Sequence, residues 1–410
     1  MNTLDPPQKD KGLRNIFFIG LVSFFTDIST EMVYPVVPLY LTAAFGATPA
    51  LIGLIEGIAE SLASLLKVYS GYISDRFQRK KALAFTGYAT GILYKLVLIF
   101  TASWAGVLVA RVIDRFGKGI RTAPRDVLVS ESAPPGKMGN AFGLHKALDM
   151  AGTALGILFT FLLFKNGIVN GAGTGTGAGA GEFDYTGLFW LSLIPAVLGL
   201  CMFFFIKEKR GERTHKQRIA FWQSFKGLDK QLKLYLLVVL LFTLGNSSNA
   251  FLLLKAQAVG FDNVNVILLY FIYSATAAAF SMPLGRLSDK IGRKKLLVSG
   301  YFIFAAVYLG FAVALSQPVM VLLFVLYGLY TAMITGVERA FVAEIAPPEI
   351  KGTLLGLQST VAGIALLPAS LITGVLWSAF GSVVPFVFGA LLSLAAALIL
   401  LVFMKQVRLS

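Results

Sequence analysis

Apolar runs of about twenty residues recur along the whole chain, parted by short polar or charged turns. Each is long enough to cross a roughly 30 Å hydrocarbon layer as a helix. The runs begin near Leu13, Thr48, Ala82, Trp104, Gly139, Phe183, Leu232, Asn263, Leu296, Pro318, Gly352 and Val383, so the pattern predicts an all-α membrane protein of twelve spans. One span breaks the rule. The stretch Val107 to Pro135, VLVARVIDRFGKGIRTAPRDVLVSESAPP, holds Arg111, Asp114, Arg115, Lys118, Arg121, Arg125 and Asp126. A charge near the bilayer centre costs about 2.5–3.5 kcal/mol on insertion scales, so such residues face a protein interior or a wet cavity. On a helix Arg111, Arg115 and Lys118 stand at i, i+4 and i+7 and merge with Asp114, Arg121 and Arg125 into one basic stripe. This helix is predicted to wall a polar pathway.

The chain also repeats itself. GYISDRFQRKK at Gly71–Lys81 returns as GRLSDKIGRKK at Gly285–Lys295, and SESAPPGKMGNAFGL, ending at Leu144, returns as AEIAPPEIKGTLLGL, ending at Leu357. The two matches share nearly one offset, which indicates a duplicated six-helix unit. The expected organisation is a tail over 1–12, a first bundle over 13–206, a charged linker over 207–231, a second bundle over 232–405 and a tail over 406–410. The run NGAGTGTGAGAGEF, between the fifth and sixth spans, reads as a flexible outer loop without catalytic duty.

Composition narrows the class further. Of 410 residues 56% are hydrophobic and 14% charged, and the mean hydropathy of +0.75 is one a water-soluble domain of this length rarely reaches. A formal charge of +15 would suit a nucleic-acid partner, but the basic residues gather in alternate loops. Those loops fall on one side of a twelve-span path, and the positive-inside rule makes that side, with both termini, cytoplasmic. No nucleic-acid partner is expected. The first apolar run, with Asp27 and Glu31 inside it, is too long and too charged for a cleavable signal. Cys201 alone allows no disulfide within the chain, and His145 and His215 without clustered thiols give no metal site. There is no phosphate-cradling Gly loop and no nucleophile elbow. Neither an enzyme nor a bound cofactor is expected, and the proton motive force is the expected energy source.

The paired loops resemble the cytoplasmic signature of the major facilitator superfamily. Gly285, Asp289, Lys290, Gly292, Arg293 and Lys294 fit it fully; Gly71, Asp75, Arg76, Arg79 and Lys80 fit it with Gln78 where the family has Gly. The tracts TDISTEMVYP and DRFGKGIRTAPRD are similar to a bacterial branch whose substrates are mostly unassigned. The resemblance implies two pseudo-symmetric six-helix bundles, in a bacterial inner membrane, rocking about a central cavity lined chiefly by spans 1, 4, 7 and 10. It also implies a conformational latch of Gly71, Asp75, Arg76, Arg79 and Asp126, matched by Gly285, Asp289 and Arg293. The competing role for these charges is to set topology.

Depth singles out the rest. Asp27 and Glu31 sit four apart near mid-membrane, and the rise per residue puts them level with Arg111, Arg115 and Lys118. Glu56 and Glu60 repeat the acidic pair in span 2. A buried acid that gains and loses a cationic partner can take up and release a proton, which makes Asp27, Glu31, Glu56 and Glu60 the proton-coupling candidates. Their competing role is permanent pairing or packing. Arg111, Arg115 and Lys118 are candidates for holding a carboxylate or phosphate, with Tyr34, His145, Asn246 and Asn249 beside them as substrate contacts. Span 7 carries FTLGNSSN where span 1 has FTDISTE, so charge coupling is expected mainly in the first half. Lys95 is expected to snorkel.

Three functions compete. The first is a monomeric proton-coupled secondary transporter of a small organic anion, a carboxylate-type metabolite or carboxylate siderophore. The second is a proton-driven exporter of multidrug or amphipathic compounds. The third is a lipid-handling or receptor-like protein that cycles no protons.

Overall fold

The computed structural model describes residues 8–77, 80–133, 138–169, 184–208, 228–335, 337–345 and 351–403, and every regular element among them is helical. In the first half these are α1 (Gln8–Val33), α2 (Val37–Phe45), α3 (Pro49–Phe77), α4 (Lys80–Phe100), α5 (Trp104–Ser132), α6 (Met138–Lys165) and α7 (Tyr185–Met202). In the second they are α8 (Lys230–Gly245), α9 (Ala250–Ala258), α10 (Asn263–Ile291), α11 (Arg293–Val313), α12 (Gln317–Ile334), α13 (Val337–Ile345), α14 (Lys351–Phe380) and α15 (Val383–Phe403). Among the described residues, 11 helical stretches are long and apolar enough to cross a membrane. The expected fourth span is not one of them. It forms α5, a helix of 29 residues, but its charges keep it outside any test of apolarity.

Two expected spans are broken rather than continuous. Pro35 and Pro38 cannot supply the N–H groups that would carry α1 onward, and the chain passes through a 3-10 turn at Tyr34–Val36 before α2. Span 7 breaks between α8 and α9, where Asn246 leaves helical geometry at φ −100° and ψ 83°. Broken helices in matching places of two repeats expose backbone polar groups, which membranes tolerate only beside protein or water.

The chain forms two compact units, residues 1–37 with 66–214, and residues 38–65 with 215–410. In the first, α1 packs along α6 and α7, while α4 packs along α5 and α7. Its inner core gathers Ile16, Ile19, Val22, Tyr88, Leu128, Val129 and Phe203. In the second, α8 packs along α14 and α15, while α11 packs along α12 and α15. The same pairing recurs in both halves, so the duplication read from sequence is present in the packing.

Within the second unit, the first half of α3 lies on α14 through small residues. A Cβ on Gly57 would meet the Leu367 carbonyl oxygen at 3.0 Å, and one on Gly374 would meet that of Pro49 at 2.5 Å. Ser61 Oγ donates to the Gly363 carbonyl at 2.6 Å, and the Ala50 N–H donates to Ser378 Oγ at 3.1 Å. Close backbone approach of this kind holds helices together where lipid removes the hydrophobic drive. The linker residues 209–227 lie outside the described residues.

Candidate functional site

The first unit concentrates charge on α5. Ser103 Oγ caps that helix by accepting the Gly106 N–H at 3.2 Å, and glycines bring α4 against it: a Cβ on Gly87 would meet the Gly117 carbonyl at 2.8 Å and Arg121 N at 2.9 Å. Arg111, Asp114, Arg115 and Arg121 are all buried by this packing. Arg111 and Arg115 share one carboxylate, with Arg111 Nη1 at 3.7 Å and Arg115 Nε at 3.6 Å from Asp114 Oδ2. The Tyr34 ring covers both, 5.1 Å from the Arg111 guanidinium carbon and 5.4 Å from that of Arg115. A cation over an aromatic face gains about 0.5–2 kcal/mol, most when desolvated.

The wall of a wet passage expected from the stripe is therefore not what the two arginines form. Their exposures are 0% for Arg111 and 2% for Arg115, so protein seals them behind Tyr34. Lys118, a turn further along the stripe, is only half-buried. Glu31 lies in the field of Lys118, Arg115 and Arg111, so the structure brings together the acid and the bases that depth alone had matched. Lys95 does not snorkel. It is fully buried, its Nζ donates to the Gly91 carbonyl at 3.1 Å, and it feels the charge of Asp114.

Asp27 meets a carboxylate: its side chain is hydrogen-bonded to that of Asp149. Asp149 Oδ2 accepts from Lys146 Nζ at 2.6 Å, and its Oδ1 is 4.0 Å from Arg125 Nη1. His145 Nε2 is 3.0 Å from Ser23 Oγ, which is 2.9 Å from Tyr88 OH. Arg121 stacks over the Tyr88 ring at 4.4 Å. His145 thus belongs to a buried relay on the α1, α4 and α6 faces.

Glu56 falls in the second unit. It is buried, and Ser248 Oγ donates to its Oε2 at 3.4 Å, from the broken segment between α8 and α9. Glu60 is half-buried on the same helix. Asn246 and Asn249 are held by tyrosines. Asn246 Nδ2 donates to Tyr330 OH at 3.0 Å, and Tyr327 OH donates to Asn249 Oδ1 at 2.9 Å. The Tyr327 ring lies 5.1 Å from Tyr273 and 5.2 Å from Tyr330. Sequence reading missed this tyrosine cluster, although Tyr270 and Tyr273, and Tyr327 and Tyr330, stand at helical i, i+3 spacing. Glu338 was also passed over as a working acid. It is half-buried and hydrogen-bonded with Gln358 and Tyr301, so the second half holds a partnered carboxylate too.

Of the latch residues, Arg79, the surroundings of Gly71 and the side chains of Asp75, Arg76 and Asp289 lie outside what is described. Asp126 Oδ1 accepts from its neighbour Arg125 at 2.9 Å. Arg293 Nη1 donates to Glu344 Oε2 at 2.9 Å, and Lys80 pairs with Glu131. Gly285 has open space where a Cβ would stand.

The Major Facilitator Superfamily profile matches residues 19–254 and 235–409. An uncharacterized MFS-type transporter of Methanocaldococcus jannaschii is 36% identical over 401 residues, 96% of each chain. Multidrug resistance protein MdtG of Salmonella typhimurium is 24% identical over 302 residues, covering 70% of this chain and 69% of that protein. Among solved structures, the nucleoside transporter NupG superposes with a TM-score of 0.75 at 12% identity, over 96% of this chain and 100% of that one. At that identity the likeness concerns the fold alone.

Proposed function

The chain belongs to the Major Facilitator Superfamily, and from that premise we propose that it is a proton-coupled secondary transporter of a small organic anion, working by alternating access in the inner membrane. The observation that carries this reading is Glu31 lying in the field of the half-buried Lys118, with the Arg111 and Arg115 pair on Asp114 behind it as a fixed positive background. With Lys118 the site has three cationic groups, and its acids are Asp114 and Glu31. An anion meets Lys118 first, the base that is only half-buried, and competes with Glu31 for the positive field of α5. Glu31 then gives way by taking a proton. Reciprocity follows: if the anion favours protonation, the proton favours the anion by the same factor. Anion and proton therefore cross together.

Proteoliposomes given an acid-outside gradient and radiolabelled lactate, succinate or citrate test this reading. Uptake of at least one is expected to rise with the gradient, to fall with unlabelled carboxylate, and to drop by about tenfold or more in Arg115→Gln, the scale of one lost charge-assisted contact. Arg115→Gln leaves Arg111 on Asp114, and its thermal midpoint separates lost recognition from lost folding. Flux indifferent to both gradient and anions would overturn it. The resemblance to MdtG favours a second reading, proton-driven export of amphipathic compounds, in which Arg111 and Arg115 are neutralised internally. Raised drug tolerance on expression, with no anion flux, would select it.

A further inference from the structure

Helices α1 and α6 are pressed together by two glycines one turn apart. A Cβ on Gly152 would run into the carbonyl of Phe24, and one on Gly156 would meet the Ile28 carbonyl oxygen at 2.5 Å. That contact sets Asp149 and Asp27 facing each other, with their carboxyl groups close enough to share a hydrogen bond. A hydrogen bond between two carboxyls exists only while one of them carries a proton, because two carboxylate anions at that distance repel and offer acceptors alone.

The surroundings decide which one. Asp149 holds Lys146 Nζ at 2.6 Å and has Arg125 Nη1 at 4.0 Å. Asp27 has the charge of Arg121 near it but also that of Glu31. The other groups facing the pair are Asp126 beside Arg125, His145 on α6 and Tyr88 on α4 under Arg121. Two cations touch Asp149, so it is the ionised member. Lys146, whose side chain is 61% exposed, would not stand against lipid, so the edge it covers is a wet one.

We propose that Asp149 completes, with Asp27, a two-carboxyl site that binds a single proton, Asp27 carrying it and Asp149 accepting its hydrogen bond. The site rests on the proton-coupled reading and adds, four residues from Glu31 on α1, a second acid that holds a proton. Loading joins a proton from the wet edge to Asp27 and forms the hydrogen bond to Asp149. Release gives the proton on Asp27 back to water as Asp27 turns to Arg121, which breaks that bond and leaves both acids ionised. The pair titrates as a unit.

The test is infrared difference spectroscopy on the purified transporter over a pH titration, with Asp27→Asn, Asp149→Asn and Asp149→Glu. The wild type is expected to show a protonated-carboxyl band that shifts in D2O and is absent from Asp27→Asn and from Asp149→Asn. Asp149→Glu should restore it at an altered frequency, and should do so even if Asp149→Asn does not fold. A band unchanged in Asp149→Asn, or still present in Asp27→Asn, overturns the site. The two readings fail separately. The band pattern together with carboxylate flux indifferent to a pH gradient keeps the site and removes the coupling. Gradient-driven flux with no change in Asp149→Asn keeps the coupling and removes the site.

Discussion

Asp114 is the residue on which the first unit's charge balance turns. It answers Arg111 and Arg115 from within one helix, and Lys95 and Arg121 also lie in its field. Removing one member of a buried ionic group strands the others, at roughly 3–5 kcal/mol. Asp114→Asn is therefore expected to lower the thermal midpoint of the purified protein sharply, and Asp114→Glu to recover much of it. Tyr34→Phe, which keeps the ring over both guanidiniums, should change stability little, whereas Tyr34→Leu should cost about 1–2 kcal/mol. Thermal unfolding in detergent reads both. The basic stripe was legible because charges in an apolar run stand out at helical spacing. The sealing of Arg111 was not, because spacing gives a face and not what covers it. The tyrosines around Asn246 escaped for the opposite reason: an aromatic in a membrane helix looks like packing until its hydroxyl partner is seen.

At the scale of elements, the glycines say more than the apolar residues. Gly152 is in direct conflict with any side chain, while Gly356 has open space around its missing Cβ. Gly152→Ala is expected to destabilise by about 1–3 kcal/mol through overpacking against α1. Gly356→Ala should be neutral or stabilising by up to about 1 kcal/mol, since alanine suits a helix better. Paired thermal midpoints separate the two. The internal echoes also acquire a physical meaning. The basic run of the first echo and the acid of the second meet in each half, as Lys80 with Glu131 and as Arg293 with Glu344. Sequence alone could show that both motifs were copied. It could not show that they are two ends of one ion pair, because the contact spans a helix hairpin. The proline break of span 1 was visible in YPVVP; the break at Asn246 was not, since GNSS carries no proline.

For the whole molecule, the repeat boundary and the packing boundary differ. Residues 38–65 are grouped with residues 215–410 although they lie inside the first repeat. Duplication is written in the order of residues, whereas compactness depends on which helix faces touch. The seam between α3 and α14 belongs to the second category. A Cβ on Gly53 would strike the Ser370 carbonyl, with the Phe251 ring at 3.0 Å. Gly53→Ala should lower the thermal midpoint by the equivalent of about 1–3 kcal/mol, and Ser61→Ala should lose about 1 kcal/mol with its hydrogen bond to Gly363. Among the described residues, glycine, serine and backbone groups set how close this seam comes. With backbone against backbone, a single added methyl group there has nothing to push aside but the partner helix itself. The spacing of the two helices is thus written in residues that carry no charge, one turn from the acids Glu56 and Glu60 on the same helix.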